Sequence, residues 1–108
     1  MANKIQTYAE FWPYYLREHS SPKGRHLHYL GTTLALFALI LAIVLQMPSL
    51  ILLALICGYG PAWIAHFYIE KNRPATFSYP FWSLLSDFRM YFTWLSGKLP
   101  RELEKAGI

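Results

Sequence analysis

The clearest pattern in the chain is a stretch without charged residues that runs from His26 to Ile69. A polar break at 46–49 divides this stretch into two apolar runs, which predict membrane-spanning helices over 29–45 and 50–69. Because the connection between them is short and uncharged, the two helices must form an antiparallel hairpin. Both open ends of the hairpin then lie on the same side of the bilayer.

Two further helices flank the hairpin. Residues 5–18 predict an amphipathic, aromatic-rich helix interrupted by Pro13, and residues 81–96 predict a helix of mixed polarity that ends before Gly97. Aromatic residues at this density favour the headgroup region, so we expect the first helix to lie in the membrane interface. The alternative is a helix that packs its rings into a core.

The last helix is expected to lie along the interface or pack on the hairpin, and a further crossing of the bilayer stays open. The predicted fold is therefore all-α, with a transmembrane hairpin flanked by interfacial helices in a single membrane-embedded domain over 1–108. Residues 20–24 are a turn by composition, and the segment after 98 is a charged tail. Pro61 predicts a kink that sets the direction of His66.

Composition agrees with a membrane environment. Hydrophobic residues make up 55% of the chain and charged residues 15%, whereas charged residues reach roughly 25% in soluble domains. Because the chain is short, it cannot bury this apolar surface in its own core, and a membrane or a tight homo-oligomer must cover it. The net charge of +4 comes from basic residues on both sides of the hairpin rather than from one face. This distribution favours cytoplasmic termini and excludes nucleic-acid binding.

Four histidines carry the candidate chemistry. His19, His26 and His28 lie near the start of the first spanning helix, and His66 lies near the end of the second. The hairpin brings these positions to one membrane face. Glu70 follows His66 by one helical turn on the same face. Imidazoles and a carboxylate at one depth suit Zn(II) or non-haem Fe(II), since two histidines and a carboxylate leave positions open for oxygen and substrate.

The histidines are not equivalent. His26 and His28 are two positions apart and point away from each other on a helix, so only one faces His66. His28 is nearer the membrane and is the better candidate, whereas His26 is expected to be solvated. Each imidazole has an alternative role as a hydrogen-bonding group to a backbone carbonyl or a lipid phosphate.

The nearby charged residues also have two interpretations each. Asp87 either pairs with Arg89 or Arg73 or orients a metal-bound imidazole. Lys71 and Arg73 are either membrane anchors or the groups that bind a substrate carboxylate, for which arginine has the favourable bidentate geometry. The single cysteine, Cys57, excludes a cysteine-based zinc site. The sequence contains no phosphate-binding glycine loop, nucleophile elbow or dinucleotide fingerprint.

These residues fall into recognisable motifs. Residues 19–31 resemble the signature H-x2-P-x-N-x3-H-x2-G of the 2-hydroxy-fatty-acid dioxygenase family, and residues 63–75 resemble its W-x2-H-x3-E-x-x-R-P-A signature. Residues 80–90 are similar to the corresponding segment of its short members. The resemblance departs from the family at Gly24, where the family usually has Asn. Glycine replaces Asn easily if that residue only shapes a turn.

The resemblance implies a membrane-embedded, Fe(II)-dependent enzyme of fatty-acid α-oxidation. Such an enzyme converts a 2-hydroxy fatty acid and O2 to the acid one carbon shorter. The family's histidines map onto His19, His28 and His66, and its acidic positions map onto Glu70 and Asp87. In this hypothesis His19, His28, His66 and Glu70 are the metal ligands, Asp87 is a further catalytic acid, and Arg73 or Lys71 neutralises the substrate carboxylate. The alternatives are a non-catalytic membrane scaffold without metal and a metal-dependent lipid hydrolase.

Overall fold

The computed structural model describes residues 4–108, and every regular element in that range is a helix, which confirms the predicted all-α class. The elements in chain order are α1 (Tyr8–Arg17), α2 (Pro22–Val44), α3 (Leu50–Ile64) continued by a π-helical segment (Ala65–Glu70), a 3-10 turn (Ala75–Phe77), α4 (Pro80–Leu95) and α5 (Leu99–Lys105). The helices α2 and α3 pack side by side as the expected antiparallel hairpin.

The first helix of the hairpin starts earlier than the sequence predicted. It begins at Pro22 rather than at residue 29, so the expected turn over 20–24 is wrong for its second half. Ser21 is the N-cap and its side chain accepts a hydrogen bond from the Gly24 amide, while Pro22 occupies the first helical position. Serine followed by proline is a helix-start signal, because proline lacks the amide hydrogen that would be unpaired there.

A close backbone approach holds the hairpin together at Gly31. A Cβ atom built at Gly31 would lie 2.8 Å from the carbonyl oxygen of Cys57 and 3.1 Å from that of Gly58. Only glycine allows the two helix backbones to pack this closely, and small residues have the same role where membrane helices pack tightly. A Cβ at Gly58 would instead make an ordinary contact with Ala35. The close contact between α2 and α3 therefore depends on Gly31 rather than on Gly58.

The hairpin is long and apolar enough to cross a membrane. Its two candidate spans are Pro22–Val44 and Leu50–Glu70, by length and composition alone. Large apolar side chains on both helices face outward, among them Phe37, Ile40 and Ile56. An outward-facing apolar surface of this kind is what lipid contact requires.

The aromatic face of α1 is buried. Phe11, Tyr15 and Leu16 are fully covered and belong to a core that includes Met90 of α4 and Leu99 at the start of α5. The rings thus pack into a core, as the alternative interpretation expected. The helix is also shorter than predicted, starting at Tyr8 because Thr7 caps it.

The C-terminal tail contains the helix α5, which the sequence analysis did not predict. Glu102 in this helix accepts a hydrogen bond from the Trp12 indole and lies 3.8 Å from the Arg89 guanidinium. The Arg89 guanidinium in turn lies 4.1 Å from the centre of the Trp12 ring. These contacts tie α1, α4 and α5 together beside the open end of the hairpin. Gly97 has a positive φ of 76° between α4 and α5, which confirms its predicted role in ending the helix.

Candidate metal centre

Three buried histidines meet at the open end of the hairpin. His19 follows α1, His28 lies in the first turns of α2 and His66 lies in the π-helical segment. Each is at most 5% exposed, and their candidate ligand nitrogens all lie within 4.8 Å of one another. The ring centres are separated by 4.4 to 5.1 Å. We call His19, His28 and His66 the histidine trio.

Hydrogen bonds on the opposite ring nitrogen make Nε2 the available ligand atom of His19 and of His66. Nδ1 of His19 bonds to the Tyr15 carbonyl at 2.6 Å, and Nδ1 of His66 bonds to Oδ1 of Asn72 at 2.6 Å. Because a carbonyl or amide oxygen can only accept, both Nδ1 atoms carry the hydrogen and both Nε2 atoms are lone-pair donors. Nε2 of His19 and Nε2 of His28 are buried and have no hydrogen-bond partner among residues 4–108.

The electrostatics of His19 also favour metal binding. Burial lowers the pKa of His19 well below its ordinary value of 6.5, and the neighbouring imidazoles of His28 and His66 lower it further. The ring is therefore neutral at physiological pH, which is the form that coordinates metals.

Two polar side chains hold the connection between α1 and α2, and so position His19. The Arg25 guanidinium donates hydrogen bonds to the backbone carbonyls of His19 and Ser20 at 2.8 and 3.0 Å. The Asn72 amide donates to the carbonyl of Glu18 at 2.9 Å. Asn72 thus links two parts of the site, since its side-chain oxygen bonds to His66 and its side-chain nitrogen bonds to the segment before His19.

The π-helical segment sets the position of His66. A π-helix runs from Ala65 to Glu70 and contains His66, and the kink expected at Pro61 stays a prediction. The segment ends at Lys71, which has a left-handed backbone, and the His66 carbonyl accepts the amide hydrogens of Lys71 and Asn72. Short π-helical turns occur frequently at functional sites, because the wider turn displaces a side chain from the regular helical positions.

Glu70 is not among the described residues whose ligand atoms converge at the trio. One carboxylate oxygen accepts the backbone amide of Ser21 at 2.5 Å, and the other accepts the Ser20 hydroxyl at 3.4 Å. The carboxylate therefore stabilises the start of α2, where the helix dipole favours a negative charge. This differs from the predicted ligand role. The Glu70 carboxylate instead connects the end of the second hairpin helix to the start of the first. It packs closely there, since a Cβ atom at Gly24 would lie only 3.1 Å from it.

Asp87 reaches the trio through one intervening residue. Its Oδ1 accepts a hydrogen bond of 2.5 Å from the Tyr15 hydroxyl. The Tyr15 ring stacks on His19 at 4.1 Å, and the Tyr15 carbonyl holds the His19 Nδ1. Burial raises the pKa of Asp87 to about 7, and the hydrogen bond from Tyr15 opposes that rise. The expected orienting carboxylate is thus linked to His19 indirectly, and neither Arg73 nor Arg89 forms an ion pair with it among the described residues.

The remaining candidates lie outside the trio. His26 is exposed, as the spacing argument expected. Lys71 and Arg73 are exposed and line an open depression together with Asn72, so the depression borders the residue that holds His66. The Arg73 guanidinium lies 5.0 Å from the centre of the Phe77 ring. Their predicted roles in substrate binding stay predictions.

A comparison with protein-family models identifies the family. Residues 5–99 match the model described as 2-hydroxy-palmitic acid dioxygenase Mpo1-like. The chain belongs to the Mpo1-like family. Comparison with curated proteins and with solved structures gives no match. The Mpo1-like match spans every residue of the trio together with Tyr15, Asn72 and Asp87, so the assembled site lies within the family's shared region.

The residues present fit a metal ion. Buried imidazole nitrogens without partners cost stability unless they bind a ligand, and here the candidate ligand atoms of the trio all lie within 4.8 Å of one another. Three neutral imidazoles suit Zn(II) as well as Fe(II). Sequence reasoning missed Tyr15, Arg25 and Asn72. For Asn72 a signal existed, because a polar amide follows closely after His66 in the segment that ends the second span.

Proposed function

We propose that this protein is a membrane-embedded dioxygenase that converts a 2-hydroxy fatty acid and O2 to the fatty acid one carbon shorter. The histidine trio would hold Fe(II), with Asn72 and the Tyr15 carbonyl fixing the orientation of two of the rings. The family description supplies the class of substrate and reaction. The hairpin would cross the membrane with its open end and both termini on the cytoplasmic side.

One observation carries the proposal: three buried imidazoles converge, and two of their Nε2 atoms have no partner among the described residues. A purely structural cluster of three histidines would be expected to satisfy these nitrogens within the protein. Hydrogen bonds that fix the opposite ring nitrogen are typical of metal-binding histidines. Both features are present in His19.

The position of the site suits an amphiphilic acid. The trio lies at the open end of the apolar hairpin, so in a bilayer it would lie near the headgroups. The carboxylate and 2-hydroxyl of a fatty acid lie at that level, while the tail dissolves in the hydrocarbon. The cationic side chains of Lys71 and Arg73 would neutralise the substrate carboxylate, and Arg73 can bind it through two parallel hydrogen bonds.

The proposed reaction balances with O2 as the sole oxidant. The bond between C1 and C2 breaks, C2 becomes the new carboxyl carbon, and the old carboxyl carbon leaves as carbon dioxide together with one water. Iron, when bound, supplies the redox chemistry that lets O2 react with a closed-shell organic acid. The chain's own residues keep the trio neutral, exclude water from it and fix its geometry.

Product analysis tests this function directly. Protein purified in detergent and loaded with Fe(II) under anaerobic conditions is mixed with 2-hydroxypalmitic acid and O2, and the lipids are analysed by mass spectrometry. The proposal predicts the C15 acid in proportion to O2 consumed, with palmitic acid as an inert control. No chain-shortened acid from iron-loaded protein would refute it.

A zinc-dependent lipid hydrolase is the second candidate, because the trio lacks a carboxylate and three histidines are a known catalytic zinc set. The same assay with Zn(II) and a lipid ester distinguishes the two. Release of free fatty acid by the zinc form, without oxidation by the iron form, would favour the hydrolase. A scaffold protein without metal would show neither reaction and no stoichiometric metal.

A further inference from the structure

A mainly apolar cavity lies between α2, α3 and α4. Its volume is about 170 Å³. Most of its lining is aliphatic or aromatic, contributed by Ala35 and Leu39 of α2, Ala54 and Leu55 of α3, and Leu84 and Phe88 of α4. The polar exceptions include Asp87 and Tyr59. A cavity with an apolar wall and a few polar groups is the usual form of a site for a small amphiphilic ligand.

The cavity lies on the helix faces that carry the trio. On α2, Thr32 in the cavity lining follows His28 by four positions, so both occupy one face of the helix. On α3, Gly58 in the lining lies about two helical turns before His66, which follows in the π-helical segment. The hairpin therefore presents its metal site and its cavity in one line, with the cavity towards the turn between α2 and α3.

The wall of the cavity that α4 forms also connects the cavity to the histidine trio. Asp87 of α4 lines the cavity and accepts the hydrogen bond from Tyr15. Tyr15 in turn stacks on His19 and holds its Nδ1. Asp87 thus joins the cavity to the trio, because it lines the cavity and is hydrogen-bonded to the residue that holds His19.

We propose that this cavity binds the acyl tail of the substrate while its carboxylate and 2-hydroxyl lie at the histidine trio. This inference rests on the proposed function for the identity of the ligand. Leu39 is the lining residue of α2 furthest from His28, and the helix between them is about 16 Å long, comparable to an extended chain of about a dozen carbons. Leu39 and Ile51, at the far end, then limit the length of tail that fits.

Photolabelling tests tail binding without requiring turnover. The probe is 2-hydroxypalmitic acid with a diazirine near its methyl end, added to the protein in phospholipid nanodiscs, and the adducts are located by peptide mass spectrometry. We expect adducts at Leu39, Ile51 or Leu55, removed by excess unlabelled 2-hydroxypalmitic acid. A phospholipid carrying the same diazirine should label outward residues such as Phe37 instead. Adducts of both probes at the same outward positions, without competition, would overturn the proposal.

Two variants sharpen the test. Ala54→Leu fills the cavity, and we expect several-fold less labelling with the metal content unchanged. Ala42→Leu is the matched control, since Ala42 is similarly buried in the hairpin but does not line the cavity. It should label like the wild type. If Ala54→Leu does not fold, Leu39→Ala lengthens the cavity and should improve binding of a C18 probe relative to the C16 probe.

The outcomes separate the two proposals. Competed labelling in the cavity without any chain-shortened acid would retain the tail site and refute the dioxygenase. Formation of the chain-shortened acid with no labelling in the cavity, and with an unchanged chain-length preference in Ala54→Leu and Leu39→Ala, would refute the tail site and retain the dioxygenase.

Discussion

The hydroxyl of Tyr15 donates a 2.5 Å hydrogen bond to Oδ1 of Asp87, although the two residues are 72 positions apart in the sequence. The contact joins α1 to α4. Because the Tyr15 carbonyl also holds Nδ1 of His19, the packing of the flanking helices determines the orientation of one ring of the trio. The helices around the hairpin are therefore part of the site rather than only its anchors.

Asp87 should make the stability of the protein depend on pH. A carboxyl group whose pKa rises from 3.8 to about 7 on folding binds its proton more tightly in the folded state. It therefore favours folding at low pH, and this contribution is lost as the pH rises through that window. Asp87→Asn should remove this pH dependence. Without metal, the melting temperature of the variant should therefore rise relative to that of the wild type as the pH increases towards 8. If the melting temperatures of the two proteins change in parallel with pH, Asp87 is not the source of the pH dependence.

Asn72 is predicted to control metal affinity without being a ligand. Its oxygen fixes the Nδ1 hydrogen of His66, and its nitrogen holds the carbonyl of Glu18. Asn72→Ala should weaken metal binding by roughly 10- to 100-fold, the usual effect of losing such a partner. Competition with a fluorescent chelator measures the affinity. Ser20→Ala is the control because, among residues 4–108, its hydroxyl hydrogen-bonds only to Glu70, and an equal loss in both variants would mean a general structural effect.

Glu70 distinguishes the observed site from the one predicted from the sequence. Its carboxylate accepts the Ser21 amide at the start of α2. Glu70→Gln keeps an acceptor but removes the charge, so it should retain the metal and lower the free energy of unfolding by about 0.3–1 kcal/mol. Metal analysis and thermal unfolding of the same preparation measure both effects. Loss of the metal from a folded Glu70→Gln protein would restore Glu70 as a ligand.

Gly31 is predicted to be essential for the close packing of α2 against α3. Its Cβ would overlap the carbonyl of Cys57, so Gly31→Ala should force α2 and α3 apart and cost about 1–3 kcal/mol of stability. Metal affinity should fall with it, since His28 and His66 lie on these helices. Gly58→Ala is the matched control: its added Cβ would make only an ordinary contact of 3.5 Å with Ala35, and alanine favours the helix. Comparable losses in both variants would contradict the close approach.

Much of this arrangement could be predicted from the sequence. The charge-free stretch and its polar break predicted the hairpin, and the hairpin alone predicted that His28 and His66 meet at one end. The two-residue spacing of His26 and His28 separated the exposed ring from the buried one. These features depend on helix periodicity and chain connectivity, which local sequence records directly.

The rest depended on tertiary packing. An aromatic helix has the same composition whether its rings face lipid or a core, so the burial of Phe11 and Tyr15 became visible only from the packing of α4 and α5. The spacing of four positions between His66 and Glu70 predicts one helical face, but this segment is π-helical and the Glu70 carboxylate bonds to the Ser21 amide. Helix α5 is short and highly charged, and its position depends on contacts with Trp12 and Arg89.

The metal content of single-histidine variants tests the central claim most directly. Wild-type protein and the variants His19→Ala, His28→Ala, His66→Ala and His26→Ala are purified in detergent, loaded with Fe(II) under anaerobic conditions, desalted and analysed by mass spectrometry for iron per chain. The account predicts stoichiometric iron in the wild type and in His26→Ala, and loss of iron in each variant of the trio while all remain helical by circular dichroism. No stoichiometric iron in the wild type, or equal retention in all four variants, would contradict it.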